Sequence, residues 1–317
     1  AEALETIEQN IDGHVDVVIM VQGDEPLIPP EAIAETLHHF ADPKVKIVNI
    51  MSKLPNFDAF VDKLRAVGVQ VIVINDTQEF DTPDSIFPNN WISFHHPSTL
   101  ITYPMFALNR QLEVNEGPID FLQTKGFSFQ NLIDYTSHIS SGVFLEGTGS
   151  MVLDRSNYIA YCTLSTRTNQ KLITKFCQEM GYKAVVFSAF QTYNNQRLPI
   201  YHTNVMMSVG MDFAMVCLDA IDDQNERQAL VASLSETNKT ILPLTEAQIH
   251  QFAGNVLELR TGNGKRLLAM STTAFKALTG EQIEHLSDRM TIVHSPLPTI
   301  EQLGGGSARC MMAEIFI

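Results

Sequence analysis

Positive charge is scarce in this chain. Its 317 residues carry 21 Lys and Arg against 36 Asp and Glu, a formal charge of -15 with a pI near 5.0. Nucleic acid and anionic membrane surfaces would be repelled by such a surface, and no local basic patch offsets it. Long apolar runs are also missing: none approaches the roughly 20 residues that a bilayer-spanning helix needs. The N-terminal residues lack the basic-then-apolar pattern of a secretory signal, so a cytoplasmic protein is expected. Cysteine is limited to Cys162, Cys177, Cys217 and Cys310. None of these lies close enough in sequence to another to suggest a zinc site, and in a reducing compartment all four stay thiols. The adjacent pairs His38-His39 and His95-His96 point in different directions on a helix, or to opposite faces of a strand, and read as solvated surface rather than metal ligands. What is present is an ordinary globular composition, 44% apolar and 18% charged, enough for one large domain or two smaller ones with real cores. A small-molecule substrate fits these bounds best.

Charge is unevenly distributed. Residues 1–52 hold ten Asp and Glu against two lysines, Lys44 and Lys46, and so stand apart from the rest. Within them Asp16 to Gln22 reads as a buried strand, Pro29-Pro30-Glu31 as the start of a helix through about Phe40, and Val45 to Met51 as a further strand. From Pro55 onward amphipathic helices alternate with short apolar strands. Helices are expected at Phe57 to Val67, Asn169 to Met180, Asp223 to Glu236, Thr273 to Leu278 and Glu281 to Leu286. Strands are expected at Val69 to Ile74, Phe87 to Phe94, Leu100 to Met105, Gly142 to Leu153, Lys183 to Phe187, Thr240 to Pro243, Val256 to Leu259, Leu267 to Ser271, Thr291 to His294 and Met311 to Ile317. The pair at Phe87 and Leu100 reads as hairpin-like. Such alternation means an α/β fold. Cys162 and Cys217 fall in apolar strand-like runs and Cys177 in a helical one, where cysteine acts as a small hydrophobe; Met206, Met207, Met211 and Met215 read as core filling.

Cys310 is placed differently, after Gly304-Gly305-Gly306-Ser307-Ala308-Arg309. Three glycines free the backbone to fold tightly around the thiol, and peptide N–H groups there could stabilise a developing negative charge. Two readings stay open on this pattern: a nucleophile suited to a planar C–N carbon, or a buried core cysteine after a glycine turn. A phosphate cradle is the poorer reading, since no Lys-Ser or Lys-Thr pair follows the glycines.

Four segments in this order, Phe87-Pro88-Asn89-Asn90-Trp91, Leu145-Glu146-Gly147-Thr148-Gly149-Ser150, His202-Thr203-Asn204 and Gly304 to Cys310, resemble the amidinotransferase and arginine-deiminase superfamily. The run Asp84 to Trp91 is similar to its citrulline-utilisation branch. The resemblance covers about residues 53–317 and implies a five-bladed, pseudo-symmetric α/β propeller of the pentein type, its first blade incomplete or replaced. It implies that Cys310 attacks the substrate's central carbon. His202 then protonates the leaving group and activates water. Glu146 holds substrate N–H groups and orients His202 or the water. Without the resemblance, Glu146 is a polar residue at a strand-to-turn corner and His202 a satisfied histidine. Arg167, in Ser165-Thr166-Arg167-Thr168, matches a segment that binds the substrate α-carboxylate, for which a planar donor fork is suited. A surface arginine at a helix start is the plain alternative, and Arg155 and Arg197 compete for the role. No cofactor and no metal are implied.

Two clamp positions depart from the arginine deiminases, which carry aspartates where this chain has Asn90 and Asn204. Carboxylates compensate a bound guanidinium, whereas an amide both donates to and accepts from a neutral ureido group. The substitution tilts the expected substrate toward citrulline or another ureido amino acid. Residues 1–52 resemble something else, through Gln22-Gly23-Asp24-Glu25-Pro26: the 3-deoxy-manno-octulosonate cytidylyltransferases, in which the position of Asp24 binds magnesium. That likeness implies a strand–helix–strand fragment without the family's nucleotide loop, so nucleotidyl transfer is disfavoured. Domains are therefore expected at 1–52 and 53–317. Alternatives that stay open are amidino transfer to an amine, cytidylyl transfer, and a binding protein without turnover; a homodimer also stays open.

Overall fold

The computed structural model describes residues 55–74, 82–115 and 117–316. The expected elements of residues 1–52, and the pair His38-His39, lie outside them. Four times along the chain the same unit recurs. β1 (Ile92–His95) pairs antiparallel with β2 (Thr99–Thr102), helices α2 (Leu108–Gln111) and α3 (Gly117–Thr124) cross over, and β3 (Asn131–Asp134) returns parallel to β2. After the one-turn helix α4 (Gly147–Ser150), the second unit repeats this with β4 (Met151–Asp154), β5 (Ile159–Thr163), α5 (Gln170–Met180) and β6 (Lys183–Phe187). A hairpin, β7 (Phe190–Tyr193) and β8 (Gln196–Pro199), leads to the third unit. That unit is β9 (Met207–Val209), β10 (Phe213–Val216), α6 (Gln224–Glu236) and β11 (Thr240–Pro243). The fourth, after α7 (Glu246–Ile249), is β12 (Leu257–Arg260), β13 (Arg266–Ser271), α8 (Thr272–Ala277), α9 (Gly280–Ser287) and β14 (Thr291–Ser295), followed by α10 (Pro298–Leu303). In each unit the middle strand carries both partners, and the helical crossover is what lets the third strand run parallel to it.

The fifth unit is partial among the described residues. Helix α1 (Pro55–Ala66) packs on β14, burying Phe60, Val61 and Leu64, while Lys63 Nζ donates to the His294 carbonyl at 2.9 Å. Residues 69–74 and 312–316, both expected as strands, show no ladder pairing. A cavity of about 1660 Å³ lies between these segments and the inner strands of the other units, lined by Val71, Ile72, Val209, Leu257, Met312 and Ile315 among others. Apolar clusters sit at the seams. One joins Tyr161, Val185 and Phe187 to Phe213, Leu230 and Leu268; a second joins Phe60 to Leu267, Val293 and Ile300; a third joins Ile101 and Tyr103 to Met151 and Phe176. Burial between neighbouring units, rather than within one, is what holds a ring of small sheets together.

Several expectations change. The strand expected over Phe87 to Phe94 begins with a 3₁₀ turn, Pro88–Asn90, and that over Gly142 to Leu153 is strand only from Met151. Gly147 has φ +44 and places its Cα against the Asn89 and Asn90 carbonyls, which forces a turn there. His95 is buried, not solvated: its Nε2 is 2.7 Å from Ser93 Oγ. Of the four methionines, Met206, Met207 and Met215 are buried in the core, but Met211 is 52% exposed at the β9–β10 connection. Cys162, Cys177 and Cys217 are buried free thiols. Among the described residues no helix is long and apolar enough to cross a membrane.

Candidate active site

Each first strand of a unit is entered through a tight turn, and these turns carry the polar side chains. Asn90 ends the turn before β1, Glu146 caps the turn before β4, and His202 caps the turn before β9, with Asn204 inside it. The fourth turn, 250–254, ends beside Asn255, and the fifth, 308–311, holds Cys310. The turns pack directly on one another. A Cβ on Gly254 would overlap the Val205 carbonyl, one on Gly147 the Asn89 carbonyl, and one on Gly149 the Asn90 amide nitrogen, with His202 Nδ1 at 2.9 Å. Glycine is required where the turns meet, and the meeting place is where the functional groups converge.

Glu146 is fully buried. Its Oε1 accepts from the Phe106 N–H at 2.9 Å, its Oε2 lies 2.7 Å from His202 Nε2, and Arg167 Nη1 stands 3.6 Å away. Burial alone would raise its pKa, but the hydrogen bond from His202 and the nearby Arg167 and Arg110 charges overcome this and hold it well below the usual carboxylate range. Burial lowers the pKa of His202, only partly opposed by Glu146. The resting pair is therefore a carboxylate and a neutral imidazole with its proton on Nε2, donated to Glu146. Nδ1 makes no hydrogen bond among the described residues, which leaves its lone pair for a reacting group.

Cys310 is 6% exposed. Its Sγ is 3.1 Å from Asn255 Nδ2 and 3.5 Å from Asn204 Nδ2. The glycines before it serve packing: the Phe87 ring lies against Gly304 and Gly306, where any Cβ would collide with it. Ser307 Oγ donates to Glu301 Oε1 at 2.7 Å and Thr273 Oγ1 to Glu301 Oε2 at 2.6 Å, which ties the loop to α8. Of the peptide N–H groups expected to stabilise negative charge, the two nearest the thiol are otherwise engaged. Arg309 N–H donates to Asn255 Oδ1 at 3.0 Å, and Cys310 N–H to the Ser307 carbonyl at 3.0 Å.

Arg110 is a site residue that sequence reasoning missed, because nothing local distinguishes an arginine in a one-turn helix. It is buried, holds Glu113 through two bonds of 2.9 Å, and donates to Asn90 Oδ1 at 2.8 Å and to the Phe87 carbonyl at 3.1 Å. With its oxygen taken, Asn90 turns Nδ2 toward Gly149 and His202, buried and without a partner; Asn204 Oδ1 is likewise buried and unpartnered. One donor close to His202 and one acceptor on a residue that touches Cys310 are thus unpartnered, a costly arrangement unless a ligand completes it. Arg167, partly exposed, lies over the Tyr201 ring at 5.1 Å. Its two competitors are engaged elsewhere: Arg155 with the Phe94 carbonyl and His95, Arg197 with Asp222 and Glu246. Asn255, also missed, had one signal available, its place in Gly254-Asn255-Val256 at the entry to a first strand, as Asn90 and Asn204 are placed. No group of three or more His, Cys, Asp or Glu among the described residues could hold a metal ion.

A family model described as N,N dimethylarginine dimethylhydrolase, eukaryotic, matches residues 37–317. The match begins inside the segment expected as a separate domain. Solved structures share the fold at low identity. The N-terminal domain of ArgZ bound to substrate, an arginine dihydrolase from the ornithine-ammonia cycle in cyanobacteria, aligns with TM-score 0.61 and 13% identity over 83% of this chain and 86% of that one. A dimethylarginine dimethylaminohydrolase adduct with S-methyl-L-thiocitrulline aligns with TM-score 0.57 and 13% identity, over 84% and 89%. Unliganded AgrE aligns with TM-score 0.62 and 13% identity over 85% of this chain and 36% of that one. These likenesses show the pentein-type α/β propeller. A curated 3-deoxy-manno-octulosonate cytidylyltransferase from Bradyrhizobium diazoefficiens is 29% identical over 125 residues, 39% of this chain, so the chain spans half the length of that relative.

Proposed function

Because this chain belongs to the N,N dimethylarginine dimethylhydrolase family, we propose that it hydrolyses a C–N bond at the guanidino or ureido carbon of an amino acid through a covalent bond to Cys310. The observation that carries this reading is the buried convergence of three groups at the ends of neighbouring turns: a thiol facing amide donors, an ionised Glu146, and a neutral His202 with one nitrogen free. His202 accepts the thiol proton at Nδ1. Sγ attacks the planar carbon, a C–S bond forms, and the C–N bond breaks as the leaving nitrogen takes that proton. Water then adds to the carbon, giving its proton to His202, and the C–S bond breaks to restore the thiol. Glu146 keeps His202 oriented and stabilises the imidazolium that forms twice in the cycle. Arg167 at the rim suits the α-carboxylate.

For the substrate we infer a neutral ureido amino acid of the citrulline type. Asn90 offers a free N–H and Asn204 a free carbonyl, complementary to a ureido C=O and N–H, and neither supplies the negative charge that a guanidinium requires. Purified protein is incubated with citrulline, arginine and N,N-dimethylarginine, and the released ammonia or dimethylamine and the mass of the Cys310 peptide are measured. Citrulline is expected to turn over fastest and to leave an adduct, and Cys310→Ser to lose at least about 10³-fold in rate. Faster turnover of either cationic substrate would overturn the ureido assignment, and unchanged turnover in Cys310→Ser the whole mechanism.

A further inference from the structure

Asn255 takes no proton and forms no bond in the steps described above, yet it touches both the thiol and the backbone that carries it. Its Oδ1 accepts from Arg309 N–H at 3.0 Å and from Cys310 N–H at 3.4 Å, while its Nδ2 reaches Cys310 Sγ at 3.1 Å and the Asn204 carbonyl at 3.4 Å. The two backbone donors fix the orientation of the amide, because a flipped Asn255 would set its NH₂ against two N–H groups. In that orientation Nδ2 can only donate, so the sulfur is held as an acceptor. The residue is buried, and Gly254 beside it lies against the Val205 and Met206 backbone, where a Cβ would overlap the Val205 carbonyl. Its position is thereby fixed relative to the turn carrying His202 and Asn204.

We propose that Asn255 is a positioning residue for the nucleophile, binding the thiolate form of Cys310 through Nδ2 while clamping the Arg309–Cys310 backbone through Oδ1. A donor at 3.1 Å strengthens when the sulfur becomes an anion, because a charge-assisted hydrogen bond is about twice as strong as a neutral one. Asn255 thus favours the state that attacks, and it couples the fourth turn to the fifth. The inference rests on Cys310 being the nucleophile, but its test does not need turnover.

Two substitutions separate the halves of the amide. Asn255→Asp keeps an oxygen for the two backbone N–H groups and replaces the donor to sulfur by a carboxylate oxygen. Asn255→Leu removes both. The rate of Cys310 alkylation by iodoacetamide is followed by peptide mass from pH 5 to 10, with thermal unfolding and, where turnover is measured, kcat and KM. In Asn255→Asp the alkylation profile is expected to move alkaline by about one pH unit or more, with near-normal unfolding. Where turnover is measured, kcat should fall about tenfold or more at neutral pH while KM changes little. Asn255→Leu should show the same displacement together with lower stability. An alkylation profile in Asn255→Asp that superimposes on that of the unaltered protein would overturn the proposal and leave Asn255 a structural clamp. Failure of the proposed function alone would show instead as a normal Asn255 effect on alkylation with no substrate adduct on Cys310.

Discussion

Two buried histidines contribute to the acid response of this protein, and only one of them belongs to the site. Burial, assisted by the nearby Arg155 charge, holds His95 down to about 3, and burial also lowers His202. Both are neutral in the fold, while in the unfolded chain both titrate near 6.5. The unfolded state therefore binds more protons as pH falls below about 6.5, so stability is fully present above that value and declines toward the folded values. Glu146 adds to the same trend at lower pH. With its folded pKa held well below the usual carboxylate range, its contribution is present above about 4.5 and is lost on the way down. His95→Gln retains an amide that can bond Ser93 and Arg155 but does not titrate. The slope of unfolding free energy against pH between 6 and 4 should fall by up to about 1.4 kcal/mol per pH unit in that variant. Urea unfolding at a series of pH values measures it; equal slopes in the two proteins would show that His95 is not held neutral. At this scale the sequence was a partial guide. Cys310, His202, Glu146, Asn90 and Asn204 stand in recognisable short motifs, and the structure brings them together. Arg110 and Asn255 stand in none, because what makes them site residues is contact across 20 and 55 positions of chain, respectively.

Elements were most legible where local chemistry punctuates them. Helix α5 opens on Asn169, whose side chain accepts from Lys171 N–H, and closes on Gly181 in the left-handed region; α6 opens on Asp223, which accepts from Asn225 and Glu226. Both helices fall within one residue of expectation. The entry turns were only partly legible: Glu146 reads as a strand-to-turn corner, yet the apolar ends of Gly142 to Leu153 read as one strand, which the packing of Gly147 on Asn89 and Asn90 breaks. That packing can be tested against a control. Gly147→Ala must bear a positive φ and overlap two carbonyls, whereas Gly142→Ala bears φ +65 with nothing within 4 Å of the added carbon. We expect Gly142→Ala to cost about 1–2 kcal/mol with turnover intact. Gly147→Ala should cost more, toward about 3 kcal/mol or beyond, with reduced turnover, because displacing the Asn90 backbone moves the side chain proposed to contact the substrate. Chemical denaturation and a turnover assay decide it. Equal effects of the two substitutions would mean that backbone strain alone, not contact between turns, requires glycine at position 147.

At the scale of the molecule, alternating helices and strands announced an α/β fold, but no sequence repeat announced the recurring unit. Its period is carried by hydrogen-bond topology, antiparallel then parallel in every described sheet of three strands, which different apolar residues satisfy equally well. Units joined mainly by apolar burial could slide, and polar ties between them oppose that, one of which is a buried ion pair. Lys239, between α6 and β11 of the third unit, is buried with Nζ 2.9 Å from Asp154 Oδ2 at the end of β4 in the second, and it also donates to the Met211 carbonyl at 2.8 Å. Asp154 in turn accepts from Asn157 N–H and Nδ2 at 3.2 and 2.8 Å. Removing one partner from such a buried pair leaves an uncompensated charge, so Asp154→Ala should destabilise by about 3–5 kcal/mol. Lys239→Met should cost less, since Asp154 keeps its bonds to Asn157, and combining Asp154→Leu with Lys239→Met should recover most of the loss because no buried charge remains. Urea midpoints of the three variants test the arrangement: a cost below about 1 kcal/mol for Asp154→Ala would mean that the pair is solvated in practice, and no recovery in the double variant would mean that Asp154 acts through the Asn157 turn alone.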